Sequence, residues 1–150
     1  MTGPTLNHVA MTMAPDMLDE DRRAELLDFY GEVFGWTEGD NSGEQGNPLI
    51  LLTGVFGHFI YLLPGDPALA APAMDHFGMM VETEEELDTI LARAESRAKV
   101  DDRVRIIPKG TQITRGPTHD YTLTNCYVGF GMPMMVELQH ITRHAHARND

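Results

Sequence analysis

Two histidines and one glutamate stand in apolar, strand-like stretches far apart along the chain. His8 lies in Leu6-Asn7-His8-Val9-Ala10-Met11, and His76 in Met74-Asp75-His76-Phe77-Gly78-Met79. Glu137 lies in Met134-Met135-Val136-Glu137-Leu138-Gln139-His140. Two imidazoles and one carboxylate on three strands are the ligand set of an open-sided divalent metal site. Alternate side chains of a strand share a face. By that parity His8 goes with Leu6 and Ala10, His76 with Met74, Gly78 and Met80, and Glu137 with Met135 and Gln139. A polar group on such a face is costly unless paired or metal-bound, and one cation resolves the cost for all three. With neutral imidazoles the site keeps a net charge of roughly +1, which attracts an anionic substrate oxygen. The alternatives are a hydrogen-bonded core histidine and a glutamate paired with lysine or arginine. The equivalent placement of His8 and His76 in two copies of one strand favours the metal.

The elements that must position these residues repeat once. Residues 5–13 alternate as a strand, and Met17 to Phe34 is predicted to be a helix with Asp19, Glu20 and Asp21 in its first turn and Gly35 as its stop. Trp36 to Gly39 is predicted to be a short strand, and Asp40 to Pro48 a polar, glycine-rich loop. Leu49 to Thr53 and His58 to Leu63 form a hairpin, and Pro64 to Pro72 is a linker. The order then recurs. Met74 to Glu82 is a strand, and Thr83 with Glu86 caps a helix running to about Lys99. Val104 to Pro108 is a strand and Lys109 to Pro117 a loop, followed by a hairpin of Tyr121 to Phe130 and Met134 to Ile141. The tail, residues 142–150 with His144, His146 and Arg148, is expected to be disordered. The fold class is therefore α+β: two β-α-β-β-β modules, about residues 5–63 and 74–141, forming a cupped mixed sheet whose concave faces make a cleft. They are read as one domain spanning residues 1–150.

Composition narrows the function. The 150 residues carry a net charge of −12, which opposes binding to nucleic acid or to an anionic membrane. Cys126 is the single cysteine, so an intramolecular disulfide and a thiolate cluster are excluded; its apolar strand setting predicts an inert buried thiol. The N-terminus lacks the pattern of a secretion signal, and the apolar runs fall short of the ~20 residues of a membrane span. A cytoplasmic protein with a small-molecule substrate is expected.

These strands and ligands resemble the vicinal oxygen chelate superfamily, the glyoxalase/bleomycin-resistance/dioxygenase fold, over roughly residues 5–141. In that family the metal ligands come from the first strand of each module and the last strand of a module, the places held here by His8, His76 and Glu137. A fourth ligand, from the fourth strand of the first module, is Glu or Gln in glyoxalase I and methylmalonyl-CoA epimerase. Tyr61 stands there in this chain. A neutral tyrosine is a poor ligand, so the resemblance shifts toward the 2-His-1-carboxylate triad of extradiol ring-cleaving dioxygenases. Their signature is matched in part by His119, Tyr127 after Cys126, a turn at Phe130-Gly131-Met132-Pro133, and Glu137. The usual Asp-Pro of the turn is replaced by Phe130-Gly131. The resemblance implies Fe(II), with Mn, Zn or Ni as alternatives, and a catechol-like or other vicinal-oxygen substrate. It implies His119 as acid/base and Tyr127 as hydrogen-bond donor. Tyr61, Phe59, Leu63, Met80 and Met135 would line the cup, and family members usually form homodimers. The competing functions are a glyoxalase-like lyase or isomerase using the metal as a Lewis acid, and a bleomycin-resistance-type binding protein whose acidity suits a cationic drug.

Overall fold

Each repeat begins with a short strand that leads into a capped helix. The structure, a computed structural model, describes residues 3–40 and 46–146. Residues 41–45 of the expected polar loop, and Arg148 of the expected tail, lie outside the described residues. The chain divides into two units: Met1–Ala73 with Phe130–Pro133, and Met74–Gly129 with Met134–Asp150.

In the first unit, β1 (His8–Met13) leads through a 3-10 turn at Pro15–Leu18 into α1 (Glu20–Phe34), followed by β2 (Thr37–Glu38), β3 (Leu49–Leu52) and β4 (Phe59–Pro64). The sheet order is β1-β4-β3-β2, with β1 parallel to β4. The helix starts three residues later than expected because Asp19 takes an extended backbone and caps it, accepting from Arg22 N at 2.9 Å. Gly35 ends it at φ 73°, its N–H turned back to the Gly31 and Tyr30 carbonyls.

Met11, Met13, Leu49, Leu51, Ile60 and Leu62 are buried, all with one strand parity, together with Leu26, Phe29, Tyr30 and Val33 of α1. An aromatic cluster completes this core. Phe29 stacks on Phe130 at 4.4 Å, Tyr30 stacks on Trp36 at 5.1 Å, and Tyr30 Oη donates to the Phe130 carbonyl at 2.8 Å. Beside Phe130, Gly131 has φ +67°, and a Cβ there would come within 2.7 Å of Leu26 Cδ2, so the position needs glycine. The buried Arg23 guanidinium ties the helix start to neighbouring backbone, donating from Nε to the Leu18 carbonyl at 2.7 Å and from Nη2 to the Asn47 carbonyl.

The second unit contains β5 (His76–Met80), α2 (Glu84–Ala98), β6 (Arg105–Arg115), β7 (His119–Gly129) and β8 (Met135–Ala145) in the order β5-β8-β7-β6, with β5 parallel to β8. The α+β reading with two β-α-β-β-β repeats holds, and each repeat has its own four-stranded mixed sheet. Thr83 caps α2 by accepting from Glu86 N at 3.1 Å, while the Glu86 carboxylate accepts from Glu82 N at 3.1 Å.

Two segments expected as loop and tail are strand instead. The predicted loop after Pro108 is instead a continuation of β6 to Arg115. A register shift between Ile107 and Gly110 lets the edge strand pass a proline, which has no N–H to pair. The first residues of the expected disordered tail extend β8, since residues 142–145 pair with His119–Thr122.

Cys126, Val128, Val136 and Leu138 are buried, as are Leu87, Leu91 and Ala94 of α2. Burial, reinforced by the nearby Asp88 charge, pushes the Cys126 thiol up to about 11. At pH 8 that leaves about one thiol in a thousand ionised. Iodoacetamide is therefore expected to leave native protein unmodified and to label one equivalent after denaturation. Stoichiometric labelling of the native protein would overturn the reading of Cys126 as an inert core residue.

Candidate metal centre

Register in the second unit gathers polar groups on one sheet face. Tyr127 stands opposite Glu137, Asn125 opposite Gln139, and Gly78 of β5 opposite Glu137 on its other side. His76 pairs with Met135, two residues before Glu137, so it shares that face. Its Nε2 lies 3.2 Å from Glu137 Oε2, and its ring meets that of Tyr127 edge-on with centroids 5.0 Å apart.

The Glu137 side chain is 6% exposed, and among the described residues its ion-pair partner is His76 rather than a lysine or arginine. Two neutral amides hold it instead. Asn125 Nδ2 donates to Oε1 at 2.6 Å and Gln139 Nε2 to Oε2 at 2.7 Å. Asn125 Nδ2 also lies 3.2 Å from the Tyr127 hydroxyl, to which it donates. Burial, then the hydrogen bond to Glu137 and the charge on that carboxylate, raise the Tyr127 phenol above its usual range against a lowering contribution from Asn125. Tyr127 is therefore a neutral hydrogen-bond donor at neutral pH.

The donor set fits a cation. His76 Nδ1 lies 2.7 Å from the Met74 carbonyl, which can only accept, so Nδ1 carries the proton. In the neutral ring Nε2 then turns a lone pair toward a carboxylate oxygen. Two acceptors that close repel unless a proton or a metal ion lies between them. Donors each about 2.1 Å from one ion, in adjacent positions, stand roughly 3 Å apart, near the separation seen here. The imidazole is 36% exposed on its side chain, so an ion has access from solvent.

His8, the third expected ligand, belongs to the first unit. Its ring stacks on Phe59 at 4.9 Å, its Nδ1 lies 2.8 Å from Asn7 Oδ1, and Tyr61 meets Phe59 edge-on at 6.1 Å. Among the described residues no group of three or more His, Cys, Asp or Glu is placed to hold a metal ion.

The structure does not bring His119 to Tyr127. They stand eight positions apart along one continuous strand, about 27 Å of extended chain. His119 instead contacts Thr118 Oγ1 at 2.8 Å and Arg143 at 3.0 Å at the far end of β7. The spacing resembled a motif because a long strand, rather than a loop, fills it. Met135 is 3% exposed and lies under Gly129 rather than along an open wall, whereas Met80 on β5 is 76% exposed. Asn125 and Gln139 were not singled out as site residues. Their signal was a polar residue two positions from Tyr127 and from Glu137 inside apolar strands, hence on the same face.

The chain, in which each unit is a helix with a four-stranded mixed sheet, shares its fold with solved structures of glyoxalase and fosfomycin resistance proteins. Among solved structures the chain is similar to a lactoylglutathione lyase from Agrobacterium tumefaciens, at 17% identity and TM-score 0.55, covering 93% of this chain and 96% of that one. It is similar to a variant of the fosfomycin resistance protein FosX from Listeria monocytogenes, in complex with Mn(II) and 1S,2S-dihydroxypropylphosphonic acid, at 16% identity and TM-score 0.55, covering 99% and 95%. A glyoxalase/bleomycin resistance protein/dioxygenase from Alicyclobacillus acidocaldarius shares 18% identity at TM-score 0.53, covering 93% and 94%. At such identities the likeness is one of fold. No family model matches the sequence, and no curated protein matches it. No helix among the described residues is long and apolar enough to cross a membrane.

Proposed function

We propose that this protein is a divalent-metal-dependent enzyme acting on a small substrate with two adjacent oxygens. The observation that carries the reading is the His76–Glu137 pair at 3.2 Å, with the imidazole tautomer set by Met74 and the carboxylate held by two amides. His76 and Glu137 would hold the ion. The solved FosX variant of similar fold is in complex with Mn(II), which agrees with such a use of the fold.

When bound, the metal would supply Lewis acidity that lowers the pKa of a hydroxyl on the substrate. Glu137 supplies the negative charge and His76 a neutral nitrogen, so the site stays electrophilic toward an anionic oxygen. Tyr127, neutral and beside Glu137, can donate a hydrogen bond to a bound oxygen.

The finer reading is extradiol-type cleavage of a catechol-like ring with Fe(II). Tyr127 beside the ligands supports it. The placement of His119 at the other end of β7 favours a second reading, a lyase or isomerase that consumes no dioxygen. An oxygen electrode with anaerobically purified, Fe(II)-loaded protein and a panel of catechols separates them. Oxygen uptake stoichiometric with catechol loss is the expected result for the dioxygenase. Turnover of a vicinal-oxygen substrate without oxygen uptake would establish the second reading, and turnover unchanged after removal of all metal would defeat both.

A further inference from the structure

Glu137 has three rotatable side-chain bonds, yet its carboxylate is held at both oxygens. Asn125 reaches it diagonally from β7, and Gln139 from two residues farther along β8. Asn125 is itself buried, 7% exposed, and its amide nitrogen serves two oxygens, Glu137 Oε1 at 2.6 Å and the Tyr127 hydroxyl at 3.2 Å. A carboxylate oxygen offers two lone pairs. With one on each oxygen engaged by an amide, the remaining lone pairs have defined directions.

We propose that Asn125 is a positioning residue for the metal centre, its amide fixing the plane of the Glu137 carboxylate and the place of the Tyr127 hydroxyl together. The proposal rests on the metal-site reading above. It accounts for a buried amide that makes no other hydrogen bond among the described residues. It also makes Tyr127 and Glu137 parts of one unit, because a shift of the amide moves both. Loss of a partner that orients a ligand typically weakens metal binding by about 10–100-fold.

The test is titration of Mn(II) into tag-free, metal-free protein. Asn125→Leu, similar in shape but without a donor, is expected to weaken Mn(II) binding about 10–100-fold, with the far-ultraviolet circular dichroism of the metal-free protein unchanged. In a Glu137→Asp background, whose carboxylate is drawn back from Asn125 by one methylene, adding Asn125→Leu is expected to change affinity by less than about twofold. Asn125→Ser covers the case in which leucine does not fold, and the same weakening is expected of it. Unchanged affinity in Asn125→Leu or Asn125→Ser, or a loss as large in the Glu137→Asp background as in the wild type, would overturn the positioning role alone. Wild-type protein that binds no Mn(II) would overturn it together with the metal site.

Discussion

Glu137→Gln is expected to abolish stoichiometric binding of a divalent cation while leaving the protein folded. Glutamine preserves the shape of the side chain but removes the charge that draws the ion. It also turns an NH2 group toward Asn125 and Gln139, whose amides now donate to both carboxylate oxygens. One former acceptor then faces a donor. That mismatch is expected to cost the metal-free variant about 1–3 kcal/mol, short of unfolding it. His76→Ala removes the other member of the pair and is expected to act on the metal in the same way. Elemental analysis after dialysis, alongside a thermal melt, checks both. A full equivalent of metal in either variant would remove that residue from the ligand set.

Phe29→Ala is expected to cost about 3–5 kcal/mol of stability. The ring is 0% exposed, stacks on Phe130 at 4.4 Å and meets Tyr30 edge-on at 5.1 Å. Its loss would leave a void that neither neighbour can fill, because the Tyr30 hydroxyl is fixed on the Phe130 carbonyl. Against a total stability of about 5–15 kcal/mol this is a large fraction. The melting temperature should fall by about 6–20 °C. Met80→Ala on the exposed face of β5 serves as the contrast, with an expected change within about 0.5 kcal/mol. A melt of Phe29→Ala within 2 °C of the parent, on a scale of about 2–4 °C per kcal/mol, would show that this core is not cooperative with the rest of the unit.

Local chemistry made much of this fold readable. Asp19, Gly35 and Thr83 act through the backbone next to them, and the structure puts each at the helix end its chemistry suits. Strand parity gives His76 and Glu137 each a face within its own strand, and the parallel pairing of β5 with β8 makes those faces one. The far half of the β6–β7–β8 sheet was less visible. Pro108 reads as a strand stop, and recognising that the strand resumes requires knowing that it lies at an edge, a property of the assembled sheet. Thr142 and Arg143 look like tail residues until Thr122 and Tyr121 stand opposite them. The same extension carries His119 away from Tyr127, and spacing along a sequence cannot distinguish a loop that folds back from a strand that runs on. Asn125 went unnoticed because its partner on Glu137 lies diagonally across two strands, a relation fixed only by register.

The segment Phe130–Pro133 groups with the first unit although it is encoded between the last two strands of the second. A nascent chain that has emerged from the ribosome only as far as Ala73 therefore carries Phe29 without its stacking partner and Tyr30 without its acceptor. The first repeat cannot finish its interior until Phe130 has been made. A gene cut at the linker would yield a first repeat with an open seam beside α1, where Phe130 packs in the full chain.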